Sequence, residues 1–116
     1  MEIALGIAAT LNWHDQLFWI HRSFALLFFG DRMFDDAHAH VERAKSHGVN
    51  NPYLIGRAME LQAGFWYEQN RLGEAKSEAL RAADVFEKLG AAKELEACKA
   101  TLRNIEEATD KLAASH

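Results

Sequence analysis

Apolar residues return along this chain at intervals of three and four, and short polar clusters interrupt them. The clearest stretch is 72–89, where Leu72, Ala75, Ala79, Ala82, Phe86 and Leu89 fall on one helical stripe. Gly90 follows where a left-handed C-terminal cap belongs. The preceding pattern opens at Asn51-Pro52, an acceptor for orphan amides followed by a residue suited to the first helical position. Gln69-Asn70-Arg71 breaks the rhythm between the two. Residues 51–90 therefore predict two antiparallel helices joined by a tight turn.

The same reading extends in both directions. Residues 1–11 place Ile3, Ile7 and Leu11 on one stripe with Ala4 and Ala8 beside it, predicting a leading helix that begins partway through a structural unit. Asn12 is expected to stop that helix and to cap the next, 13–29, which has Asp15 in its first turn. The second half of 13–29 is apolar almost all round, so burial on more than one side is expected. Gly30-Asp31-Arg32 reads as a turn, and 33–46 as a helix with Phe34, Ala37, Val41 and Ala44 at helical spacing. Beyond Gly90, Leu95, Cys98, Leu102, Ile105 and Leu112 stripe a last helix over 92–114 whose other faces are charged, as the terminal helix of a stack requires. No sustained alternation and no Asn-Gly turn competes with this reading. The expected fold is all-α, a single domain over 1–116 with a leading helix (1–11), two hairpins (13–47 and 51–90) and a capping helix (92–114).

Composition narrows the class. A chain of 116 residues, 49% hydrophobic and 26% charged with one proline, folds around one core and is too short for two ordinary domains. A formal net charge of -4 argues against a nucleic-acid partner. Cys98 is the only cysteine, which fits a reducing compartment, and no basic region precedes the first apolar run; a cytoplasmic, intracellular location is the expectation. The longest apolar run, 24–29, is too short to span a bilayer, so no membrane partner is expected.

The two hairpins resemble each other. Ala25 and Ala63 are 38 residues apart, and so are Ala37 and Ala75, with aromatic residues Phe28 and Trp66 at matching places. Small residues at these points allow close approach of paired helices, where a large side chain would wedge them apart. This pattern resembles the tetratricopeptide repeat (TPR): Met59, Ala63, Trp66, Leu72, Ala75 and Ala82 fit it, as do Phe24, Ala25, Phe28, Phe34, Ala37 and Ala44. Gln62 and Ala79 depart from the expected Leu and aromatic, and His21 stands where the family has Trp. The 38-residue offset exceeds the family's 34, implying helices about one turn longer. The stretches WHDQLFWIH, FDDAHAHVERAKSH and EAKSEALRAADVFEKLGA are similar to TPR arrays at the C-terminal end of large fungal multidomain proteins.

The resemblance implies a right-handed helical solenoid whose first helices line a concave groove for a peptide or a partner's helix. By pattern, that groove would present Trp19, Arg22, Ser23, Leu26 and Phe29 from one hairpin, and Arg57, Glu60, Leu61, Gly64, Tyr67 and Glu68 from the next. Ala25, Phe28, Ala37, Ala44, Ala63, Trp66, Ala75 and Ala82 would be the structural repeat positions. The competing reading packs Trp19, Leu26 and Phe29 against residues 1–11 or the neighbouring repeat. Leu26 and Leu61 occupy two places where a clamp for a C-terminal carboxylate needs Lys and Asn, so a chaperone-tail adaptor is not expected.

Candidate chemistry adds little. His38 and His40 point to different sides of one helix, His40 and His47 are two turns apart, and no pair has the i, i+4 spacing of a metal-binding helix. Surface or packing histidines, no metal and no cofactor are the expectation. Asp35-Asp36 reads as favourable charge in a first turn rather than an acid/base pair. No phosphate loop or nucleophile elbow stands in the sequence. The favoured function is a non-catalytic protein–protein interaction scaffold. The alternative is a self-associating module whose truncated first unit is completed by a second chain as a homodimer. A small-ligand carrier or enzyme ranks a distant third.

Overall fold

The computed structural model describes residues 2–115, and the side chains of 13–115. Its helices are α1 (Glu2–Gly30), α2 (Phe34–His47), α3 (Pro52–Glu68), α4 (Leu72–Leu89) and α5 (Ala92–Ala114), and no strand occurs among the described residues. The all-α class follows, and no described helix is long and apolar enough to cross a membrane. The expected break at Asn12 is absent, because α1 runs on as one helix of 29 residues. Asn inside a helix costs only about 0.7 kcal/mol or less, too little to stop it without a turn residue beside it. The stripe expected of Ile3, Ile7 and Leu11 lies outside the residues whose side chains are described.

Local chemistry explains the helix ends. The Asn51 side-chain oxygen accepts from the amides of Tyr53 and Leu54 at 3.1 and 3.4 Å, capping α3 as its sequence predicts. At the end of α1, the amides of Arg32 and Met33 donate to the carbonyls of Phe29 and Phe28 at 3.0 and 2.8 Å. At the end of α3, Asn70 and Arg71 donate to Tyr67 and Trp66 at 3.0 and 2.8 Å, the same turn 38 residues later. Gly90 and Ala91 close α4 in the same way at 3.1 and 2.9 Å. Arg32, Asn70 and Gly90 hold the left-handed conformation that this turn needs, with φ of 63, 61 and 71°. Glycine adopts it without the cost of about 1–2 kcal/mol that a side chain incurs. The first turn pivots on Arg32, within the expected Gly30-Asp31-Arg32 turn.

The helices gather into two compact units, Met1–Leu54 and Ile55–His116. In the first, α1 packs along α2, and Phe18, Ala25, Ala37, Val41 and Ala44 are fully buried. In the second, α4 packs along α5, and Ala63, Ala75, Ala79 and Ile105 form a buried cluster flanked by Trp66, Tyr67, Leu72 and Leu102. Phe86, Ala82 and Cys98 are buried there too. Of the eight residues expected at repeat positions, Ala25, Ala37, Ala44, Ala63, Ala75 and Ala82 are buried, while Phe28 and Trp66 are half-buried.

The units solve one packing problem with opposite assignments. In the first, a Cβ on Gly48 would meet the Phe18 ring at 3.3 Å and the Leu54 Cβ at 3.0 Å. In the second, a Cβ on Gly56 would meet the Phe86 ring at 2.9 Å. Phe18 and Gly56 are 38 residues apart, as are Gly48 and Phe86. The phenylalanine thus comes from the first helix in one hairpin and from the second helix in the other, with glycine opposite it both times. Ion pairs contribute less: Lys45–Glu42, Arg81–Glu78 and Lys99–Glu96 within one helix, and Arg71–Glu74 from the N-cap of α4, are i, i+3 pairs, a type worth about 0.2–0.5 kcal/mol.

The buried cluster gives a direct test. Ala75→Leu should destabilise the protein by about 1–3 kcal/mol, read as a lowered thermal midpoint, because the added volume has no room at a fully buried position. An unchanged midpoint would remove the assigned pairing of α4 in the second unit.

Candidate interaction surfaces

On the first unit, the residues expected to line a groove divide. Trp19 and Leu26 are exposed, and Ser23 is exposed with its hydroxyl donating to the Trp19 carbonyl at 2.9 Å. Arg22 is half-buried, its guanidinium 5.7 Å from the Trp19 ring centre, so it is a stacked packing group as well as a charge. Phe29 turns inward, half-buried with its ring 4.9 Å from that of Phe34.

On the second unit, Arg57, Glu60, Leu61 and Gly64 are half-buried and Glu68 is exposed. Tyr67 packs on the Ala63 cluster and serves the core. Arg57 and Glu60 line an open cleft of about 190 Å³ together with Lys93, Glu94 and Ala97 of α5. This cleft is open, and its charged groups carry both signs. Cys98 of α5 is buried, and its thiol is pushed up to about 11 by that burial and then by the Glu60 carboxylate. A thiol so held is protonated at neutral pH and is a packing group rather than a nucleophile.

The histidines form an arrangement that the i, i+4 criterion missed. His14 and His21 stand two turns apart on α1, and His40 and His47 two turns apart on α2. Across the helix pair, His14 and His47 bring their Nδ1 atoms to 3.2 Å, and His21 and His40 theirs to 3.0 Å. The His21 and His47 rings stack at 5.4 Å, and His40 stacks in turn on Phe28 at 5.2 Å. In each Nδ1 pair one ring must be neutral to accept. The recoverable signal was an i, i+7 spacing repeated on two adjacent antiparallel helices. Among the described residues, no group of three or more His, Cys, Asp or Glu side chains is disposed to hold a metal ion.

Burial, then the positive forms of His40 and His47 and the Arg43 guanidinium, lower the His21 pKa below its ordinary 6.5. At this one site the folded chain therefore binds fewer protons near pH 6 than the unfolded chain does. Stability from this group is complete above about pH 6.5 and is lost as pH falls through the lowered folded value.

No family model, curated protein or solved structure matches this chain. The surfaces are consequently read from their own chemistry.

Thermal midpoints measured from pH 7.5 down to 5 should fall as His21 protonates, and His21→Gln should flatten that fall. A wild-type midpoint that stays level, or a slope unaltered by His21→Gln, would contradict the proposed linkage.

Proposed function

We propose that this chain is a non-catalytic protein-interaction module of the TPR-like hairpin-repeat type, taking a peptide or a partner's helix on its first-helix face. The observation that carries this reading is the cleft in the second unit, where Arg57 and Glu60 of α3 face Lys93 and Glu94 of α5. Charged groups of both signs on rigid helices, with Arg57, Glu60 and Glu94 half-buried and Lys93 exposed, suit the rim of a peptide site, where they set register and orientation. The cleft is too open to enclose a small molecule, which favours an extended or helical ligand that lies along it. The repeat assignment is supported by the alanines at equal offsets and by matching turns at Arg32 and Asn70.

Selection of displayed random peptides on the intact chain tests this directly. Enriched peptides should lose at least tenfold in affinity with Arg57→Glu and with Lys93→Glu, but not with Arg103→Glu, at unchanged helicity. Failure to enrich any peptide, or binding indifferent to Arg57 and Lys93, would overturn the reading.

A further inference from the structure

The outer side of α1 does not resemble a surface made for water. Trp13, Leu17, Ile20, Phe24 and Leu27 succeed one another at spacings of four, three, four and three, the rhythm of a helix–helix seam. Leu17 is half-buried, but Trp13, Ile20, Phe24 and Leu27 are 56, 45, 44 and 65% exposed. No charged residue falls on this seam, and its flank carries Gln16, Trp19, Ser23 and Leu26. The outer side of α5 is the opposite: Glu96, Lys99, Arg103, Glu107 and Asp110 are all exposed there. One helix is finished for solvent and the other is not.

The repeat supplies an internal control. Moving Ile20, Phe24 and Leu27 forward by 38 residues reaches Ala58, Gln62 and Phe65, which are 1, 6 and 4% exposed. The same face of the equivalent helix is thus buried in α3 and open in α1. It is also bulkier and more apolar where it is open.

We propose that the α1 seam is a homodimer interface, covered by the same seam of a second copy running antiparallel about a two-fold axis near Ile20. The seam is self-complementary in that arrangement: Trp13 of each copy meets Leu27 of the other, and Ile20 meets Ile20. A parallel arrangement would instead set Trp13 against Trp13. Without charges on the seam, like charges do not oppose each other in a symmetric pair, and no unlike partner is selected by charge. The exposed seam offers roughly 500 Å² per copy, and roughly 700 Å² with Trp19 and Leu26, against about 800 Å² per partner in a standard interface. An exposed apolar area of that size is at the upper limit for a soluble monomer. A membrane surface fits less well, because the seam lacks the flanking Lys and Arg of interfacial helices.

This proposal is independent of the α3–α5 cleft, and its test leaves that cleft untouched. Light scattering on the full chain between micromolar and several hundred micromolar should give twice the chain mass. Ile20→Glu and Leu27→Glu should each halve it at unchanged helicity, whereas Leu80→Glu on α4 should not. In a Cys98→Ser background, Ile20→Cys should form a covalent dimer on mild oxidation and Leu80→Cys should not, a readout that does not require a charged variant to fold. A monomeric mass throughout the range overturns the proposal. So does a dimer that survives both seam substitutions, or a monomer that sediments with phosphatidylcholine vesicles.

Discussion

Backbones come close where one side of the contact is almost bare, and this chain meets that condition by placing glycine opposite phenylalanine, just after the end of α2 in the first unit and within α3 in the second. Phe18 rests on Gly48 in the first unit, and Phe86 rests on Gly56 in the second. Around each contact, alanines hold the rest of the crossing close: Ala25, Ala37 and Ala44 in one unit, Ala63, Ala75 and Ala82 in the other. Close crossing leaves little interior volume, so Phe18, Val41, Phe86, Cys98 and Ile105 are the largest fully buried side chains. Most other large apolar residues must then go to half-buried or outer positions. The alanine-rich interior and the crowded apolar outside of α1 share that origin.

The outward faces therefore carry the functional information. The second unit presents a mixed-charge cleft and a charged outer α5, surfaces compatible with water and with a reversible ligand. The first presents the histidine row between α1 and α2 and an uncharged apolar seam beside it. Phe24 lies on that seam while its ring sits 5.4 Å from that of His40, so the row and the seam share a side chain.

What the sequence made legible was local. The Ala75–Phe86 part of the α4 stripe, the Asn51 cap and the left-handed Gly90 depend on residues close in sequence, and these are found where expected. Leu89 and Leu112 end their stripes exposed, and the burial expected on more than one side of 13–29 does not occur, because Phe24, Leu26 and Leu27 face outward. The alanine offsets were legible because they recur. The apparent stop at Asn12 was misleading, since a mild local preference does not end a helix. The inward turn of Phe29 and Tyr67 depends on which neighbour each meets, Phe34 in one case and the Ala63 cluster in the other. The histidine row needs the register of α1 against α2, which no spacing within one helix contains. The exchange of Phe and Gly between hairpins hid because matching like with like conceals a swap.

That exchange is the most direct point at which to test the account, through a double-mutant cycle measured by denaturant unfolding. Phe86→Gly should cost at least about 3–5 kcal/mol from the emptied volume, and Gly56→Phe alone should be strongly destabilising from overpacking. The double variant, which gives the second hairpin the assignment of the first, should be more stable than the summed losses predict by more than about 1 kcal/mol. Strict additivity would mean that the two positions do not share one space, and that the crossing is not built on the contact described.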